Sequence, residues 1–338
     1  MLVIKKQNVS SIIKDILKHK ELEHENKEQK KKIQIEDTHL FFRGESKKYI
    51  RRTPSLYLED KLLEKGSEYY YRTLLSELGR DDYKDNTSLV RLISELQHYG
   101  AKTRMLDVTK SPLIALYFAV EKDDDESGYI YIYNSTYSKE KFDTGHTVAI
   151  KCALNLINYE VINNFIETCA SMQKTDKKEF ERLKDKTQDE ILSEYSNKGK
   201  ITNNIKIFME LLNQRARVRE KLIYPLKIFC DLKKAHIIIP SKTTDRIRQQ
   251  QGAFIFPEYV NTRGKSKDSI QNEIDSSIQS LSAVLKAYDY NNKKIREFSC
   301  IEIEGKYKKQ IRYELEQLGI TAGYIYPDIE HQSISLLE

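Results

Sequence analysis

Apolar positions along the chain change period often enough to mark most of its elements. From Ser88 to Gln97, Leu89, Leu92, Ile93 and Leu96 fall at i, i+3, i+4 and i+7, the stripe of a helix lying on a core. Gly100 ends that helix, because glycine takes the left-handed conformation beyond a helix cap without a Cβ clash. Ser111 and Pro112 open the next one, the hydroxyl capping free N–H groups and the proline having none to lose in the first turn. Ala101 to Lys110 is therefore read as a short connection pinned by helices at both ends, where polar side chains can be aimed accurately.

Upstream, Ser10 or Ser11 can cap a helix reaching Lys20, with Ile12, Ile13, Ile16 and Leu17 on one face. The run from Glu21 to Lys32 then reads as helix continuation or solvated linker. Thr38 to Glu45 has the pattern of a strand with Leu40, Phe41 and Phe42 inside and Arg43 and Glu45 at its end. Gly44 there allows a sharp turn or close approach to a ligand. A long helical segment is expected from Leu58 to Leu78, then, after the acidic turn Asp123 to Gly128, a strand at Tyr129 to Tyr133. Thr147 to Leu154 is a second strand that pairs with it. Residues 158–221 turn charged and Asn-rich, with a helical stripe of Ile205, Phe208, Met209, Leu211 and Leu212. Strands are expected again at Ile223 to Leu232 and Ala235 to Pro240. A short helix capped by Thr243, Thr244 or Asp245 leads into a strand after Gly252. The chain closes as strand (Phe298 to Ile303), helix (Tyr307 to Leu318) and strand (Ile320 to Tyr326). These elements predict an α+β fold, a mixed sheet core with flanking helices. Residues 1–37 form an N-terminal helix and charged linker, 38–157 and 222–338 the core, and 158–221 a helical insertion or subdomain.

Composition changes this picture little. With 338 residues, 39% hydrophobic and 32% charged, the chain can bury a large core or two smaller ones. The net charge of +6, from 57 basic and 51 acidic residues, is a weak argument for nucleic acid. Only Lys30 to Lys32 and the loop Thr262 to Lys267 favour such a partner. The four cysteines are scattered without CxxC or nearby His, so neither zinc nor a disulfide framework is expected, and no metal. No apolar run is long enough to span a membrane and no signal-type core stands at the N-terminus, so the expectation is a cytoplasmic protein without a membrane partner.

Chemistry-bearing residues gather in three places. Arg43 can grip phosphate or carboxylate through paired hydrogen bonds, or pair with Glu45 or Asp107. His98 can serve as acid or base near neutral pH, or cap helix carbonyls. In the connection that follows, Arg104 and Asp107 can form an internal salt bridge while Thr103 and Thr109 face a ligand. Gln249, Gln250 and Gln251 carry amides able to read a base edge or a carboxamide. No Walker-type loop, GxGxxG, HExxH or GxSxG is present.

On these residues the chain resembles the FRG-domain family, named for its Phe-Arg-Gly motif. The matching blocks are Phe41 to Glu45, Pro54 to Leu56, Gln97 to Gly100, Thr103 to Asp107, Ser111 to Ala119, Gln250 to Phe254 and Leu318 to Asp328. The order of motifs is also similar to that of NAD-dependent ADP-ribosyltransferases. That likeness implies that Arg43 holds NAD phosphates, that Thr103 and Thr109 orient the nicotinamide ribose, and that Gln97, Arg104, Gln250 and Gln251 complete a nucleotide-type pocket. Such transferases place a glutamate in the late motif, where Gln251 and Gly252 stand here, so the stabilising carboxylate falls to Glu45 or Asp107, with His98 as a further catalytic group. The resemblance implies a bacterial defence or toxin setting. Other readings are a non-catalytic nucleotide sensor using the same pocket and the helical segment as its partner surface, and a module acting on nucleic acid. All of them require residues distant in the chain to share one concave site.

Overall fold

A computed structural model of the chain describes residues 2–18, 38–79, 88–289, 294–328 and 333. Its elements in order are β1 (Val3–Lys6), α1 (residues 9–18), β2 (Thr38–Glu45), α2 (Asp60–Lys65), α3 (Glu68–Leu78), α4 (Leu89–His98), β3 (Leu106–Thr109), α5 (Pro112–Val120), β4 (Gly128–Thr136), β5 (Lys141–Phe142) and α6 (His146–Ala153). There follow α7 (Tyr159–Thr175), α8 (Lys177–Leu183), α9 (Gln188–Glu194), α10 (Gly199–Arg215), α11 (Pro225–Leu232), β6 (His236–Ile239), α12 (Asp245–Gln249), β7 (Gly252–Phe256), α13 (Lys267–Gln279), β8 (Leu285–Asp289), β9 (Lys294–Phe298), β10 (Cys300–Ile303), α14 (Gly305–Gln317) and α15 (Ala322–Ile325). Among the described residues one eight-stranded sheet runs β1-β10-β4-β2-β3-β7-β6-β5, with β8 and β9 as a separate ribbon. The pairs β1/β10 and β5/β6 are parallel and the rest antiparallel, so the fold is α+β with a mixed sheet and flanking helices.

Strand alternation sends successive side chains to opposite faces and thereby assigns the cores. Phe41, Tyr131, Val108 and Ile255 pack on one face beneath α13. On the other, Phe42, Ile130, Ile132 and Ile301 lie under α1, α5 and α14. Further along that second face Met105, Phe254 and Phe256 lie under α4, α6, α7, α10 and α11. Two blocks of helices thus share one face of the sheet, and a cleft opens along their boundary. Helices α7 to α10, the expected insertion, bury their stripe in the same core as α4 and α6.

Helix α5 sits unusually close to the sheet. A Cβ on Gly44 would lie 1.8 Å from the Ala115 carbonyl oxygen, and one on Gly128 would lie 2.0 Å from that of Ala119. Ala115 and Ala119 are one turn apart, so the small face of α5 rests on a glycine from each of two neighbouring strands. Gly44 thus serves helix-on-strand packing inside β2, not the sharp turn expected for it.

Several expectations are corrected. Thr147 to Leu154 is not a strand paired with β4 but helix α6 followed by a short 3-10 turn; Val148, Ile150 and Cys152 alternate, yet Ala153 and Lys151 are buried too. Ile223 to Leu232 forms α11, because Pro225 occupies a first-turn position. Ile320 to Tyr326 contains α15, capped by the Thr321 hydroxyl. Ala101 to Lys110 is not wholly a connection, since its second half is the central strand β3. The expected helix from Leu58 to Leu78 is broken at Gly66, φ 75°, into α2 and α3. Asn8, not Ser10 or Ser11, caps α1 by accepting from the Ser11 N–H at 2.8 Å. The Glu21 to Lys32 run, with Lys30 to Lys32, lies outside the described residues.

Candidate functional site

Strand β2 shares eight register pairs with β4 but only one, Phe42 with Thr109, with β3. Beyond that pair β2 and β3 part, and the Arg43 side chain fills the gap. Its Nε donates to Glu45 Oε1 at 2.8 Å and its Nη1 to the Asp107 carbonyl at 2.9 Å, so one guanidinium ties the two strand ends together. A cleft of about 460 Å³ opens here, lined among others by Arg43, Glu45, Gln97, Asp107, Thr109 and Gln250.

Glu45 is 5% exposed, and while its Oε1 holds Arg43, its Oε2 is buried without a hydrogen-bond partner in the protein. Thr53 Oγ1, also in the cleft wall, and the Tyr133 hydroxyl on neighbouring β4 are buried without partners as well. Burial pushes the Tyr133 hydroxyl above its usual range. The loop between β2 and α2 is fastened to α13. Arg51 donates to Asp268 and Asn272, and the buried Arg52 donates to both carboxylate oxygens of Asp275 at 3.0 and 3.1 Å.

The α4 side of the cleft is a hydrogen-bonded chain. Thr103, fully buried, donates its hydroxyl to Gln97 Oε1 at 2.5 Å, and Gln97 Nε2 donates to Asp107 Oδ1 at 2.7 Å. Asp107 faces the water of the cleft but is hemmed in by its walls. Burial raises its carboxyl above the ordinary range, while Arg43, Arg246 and the Gln97 hydrogen bond pull the other way. Across the cleft, the Tyr326 hydroxyl donates to Glu121 Oε2 at 2.9 Å, and the Arg246 guanidinium lies 5.1 Å from the Tyr326 ring centroid. Burial raises Glu121 also, opposed by that hydrogen bond.

Of the residues expected in the site, Arg43, Glu45, Gln97, Asp107, Thr109 and Gln250 line the cleft. Thr109 Oγ1 donates to the Gln250 carbonyl at 2.7 Å, and Gln250 Nε2 donates to the Ile325 carbonyl, binding the late motif to the strand ends and to α15. Thr103 stands behind Gln97 and does not face the cleft. Arg104 makes no salt bridge with Asp107. Arg104 lies on the bend before β3 and turns inward to Tyr57, Ser67 and Asn155, each at 3.2 Å. Gln251 is exposed at φ 46° and contributes its backbone carbonyl to Lys110 N. His98 ends α4, and its side chain lies outside the described residues. The sequence reading missed Arg246, Glu121, Tyr326, Arg51 and Thr53. Arg246 stood beside the glutamines, and Tyr326 stood in the final family-like block, where an expected strand hid it.

Compared with families of known proteins, residues 38–128 match the family model described as the FRG domain. The same comparison made with curated proteins and with solved structures gave no match.

Proposed function

From a match to the FRG-domain model whose Phe42-Arg43-Gly44 motif opens onto this cleft, we propose that the protein binds a nucleotide-type ligand there and uses NAD as substrate, transferring ADP-ribose to water or to an acceptor. The carrying observation is Glu45. A nearly buried carboxylate with one oxygen unpartnered costs about 1–3 kcal/mol, a cost offset when a cationic group stands against it. The nicotinamide ring of NAD is such a group, and so is the oxocarbenium-like ribose formed as its glycosidic bond breaks. The cleft falls within the range of about 300–1,000 Å³ usual for small-molecule sites. It offers Arg43 and Arg246 for phosphates, and Tyr49, Phe118 and Tyr326 as aromatic surfaces. In this reading nicotinamide departs with the electron pair of the C1′–N bond, and Glu45 stabilises the positive charge left on the sugar.

Incubation with labelled NAD tests the reading. Nicotinamide is expected to be released, and Glu45→Gln is expected to lower turnover by about 10²–10³-fold while NAD still binds. A wild-type protein that releases no nicotinamide would refute it. A second reading, a sensor that binds nucleotide without turnover, is favoured by one observation: the late motif has no carboxylate, and the Gln250 amide is already engaged with Ile325. Saturable binding without nicotinamide release selects it.

A further inference from the structure

We infer that Asp107 is the general base that takes the proton from the attacking hydroxyl, and that Gln97 and Thr103 are positioning residues that hold its carboxylate in the accepting state. This rests on the proposed use of NAD and goes beyond it by dividing labour between the two carboxylates flanking Arg43.

The division follows from the hydrogen bonds. Glu45 is buried and gives one oxygen to Arg43, which suits a fixed counter-charge. Asp107 is exposed to the cleft, where a proton taken from a nucleophile can pass on to solvent. Its orientation is set by a chain with one consistent direction. Thr103 Oγ1 accepts from the Met105 N–H at 3.2 Å, and its own proton goes to Gln97 Oε1 at 2.5 Å. With the carbonyl end of the amide thus engaged, Gln97 presents Nε2 to Asp107. An NH₂ group only donates, so Asp107 Oδ1 must answer with a lone pair, on a side chain that is exposed and lines the cleft. The Gln97 block and the Thr103-to-Asp107 block thereby supply the three residues of one device, which explains why a fully buried threonine belongs to the site.

In the step itself the C1′–N bond breaks with its electron pair leaving on nicotinamide. An oxygen of water or of an acceptor hydroxyl forms the new C1′–O bond, and its proton moves to Asp107 and then to solvent. The charged groups that line the cleft with Asp107 are Arg43 and Glu45 from β2, Arg51 from the loop after it, Glu95 from α4, Glu121 and Lys122 at the end of α5, and Arg246 from α12. Burial raises the Asp107 carboxyl above its ordinary range, and Arg43 and Arg246 pull it back.

The test is steady-state nicotinamide release from NAD by the full chain over a range of pH, with NAD binding measured by calorimetry for each variant. Asp107→Asn is expected to lower kcat by about 10²-fold or more, to remove the acid limb of the kcat profile, and to leave NAD binding intact. Thr103→Val is expected to lower kcat by less, up to about 10²-fold, without altering NAD affinity, and Thr103→Ser to restore it. If Asp107→Asn keeps kcat and the acid limb, or loses only NAD affinity, the assignment is overturned while the NAD reading stands. A wild-type protein that releases no nicotinamide overturns both.

Discussion

Replacing Gly44 by alanine tests whether the glycine of the Phe-Arg-Gly motif is required by packing or by a ligand. The added Cβ would stand 1.8 Å from the Ala115 oxygen and 2.8 Å from the Ala119 nitrogen. Ordinary contact begins at about 3.5 Å, so helix and strand would have to separate by well over an ångström. Neither partner can yield cheaply, because both offending atoms are backbone. Strand β2 is held by its full register with β4, and α5 is wedged against α14 with Ala115, Leu116, Ala119 and Val120 at no exposure. Overpacking that side chains can absorb costs about 1–3 kcal/mol, and a clash between backbones belongs at or above the upper end. At about 2–4 °C per kcal/mol for domains of this order, the melting temperature should fall by at least about 6 °C, with the urea midpoint falling in parallel and without any ligand present. Gly252→Ala is the control: its Cβ would meet nothing nearer than 3.6 Å, and alanine in a strand is favoured over glycine by about 0.5–1 kcal/mol, so stability should hold or rise. A Gly44→Ala protein that melts like the wild type, having lost only ligand binding, would refute the packing argument.

Two further substitutions probe buried charge. The Nζ of Lys308, at no exposure, donates to the carbonyls of Ser46, Lys122 and Asp123 at 2.6, 2.8 and 2.7 Å, joining the two rims of the cleft from behind. Lys308→Met leaves these acceptors without the ammonium and should cost about 3 kcal/mol or more, read from denaturant unfolding; an unchanged midpoint would show the clamp to be dispensable. Burial, with Lys151, Lys141 and Lys234 nearby, lowers the His236 pKa from 6.5 to about 3. The unfolded chain therefore binds the extra proton between those values, and stability should fall as pH drops below about 6.5, by about 2 kcal/mol at pH 5. His236→Gln should flatten that slope in melts at pH 5 and 7.5, and an identical pH dependence in both proteins would contradict the burial argument.

Local signals in the chain specified much of this protein unaided. The stripe of α4, the left-handed Gly100 after it, the Ser111-Pro112 start of α5, and the strands β2, β4, β6 and β7 follow from periodicity and capping, because those interactions close within a few residues. Polar groups brought together from Arg43, Gln97, Asp107 and Gln250 were also legible, since motifs of unlike chemistry stood out against a background of lysine and glutamate. Short, largely apolar segments were not: α6, α11 and α15 read as strands because a run of four to eight mostly apolar residues fits either period. Direction within the site was equally hidden. Whether Arg104 turns toward Asp107 or into the core, and whether Thr103 faces a ligand or holds Gln97, depends on where β3 lies between β2 and β7. Strand order, the parting of β2 from β3, and the contact of Gly44 with α5 join residues tens of positions apart, and pairing over such distances is settled only when the whole core packs.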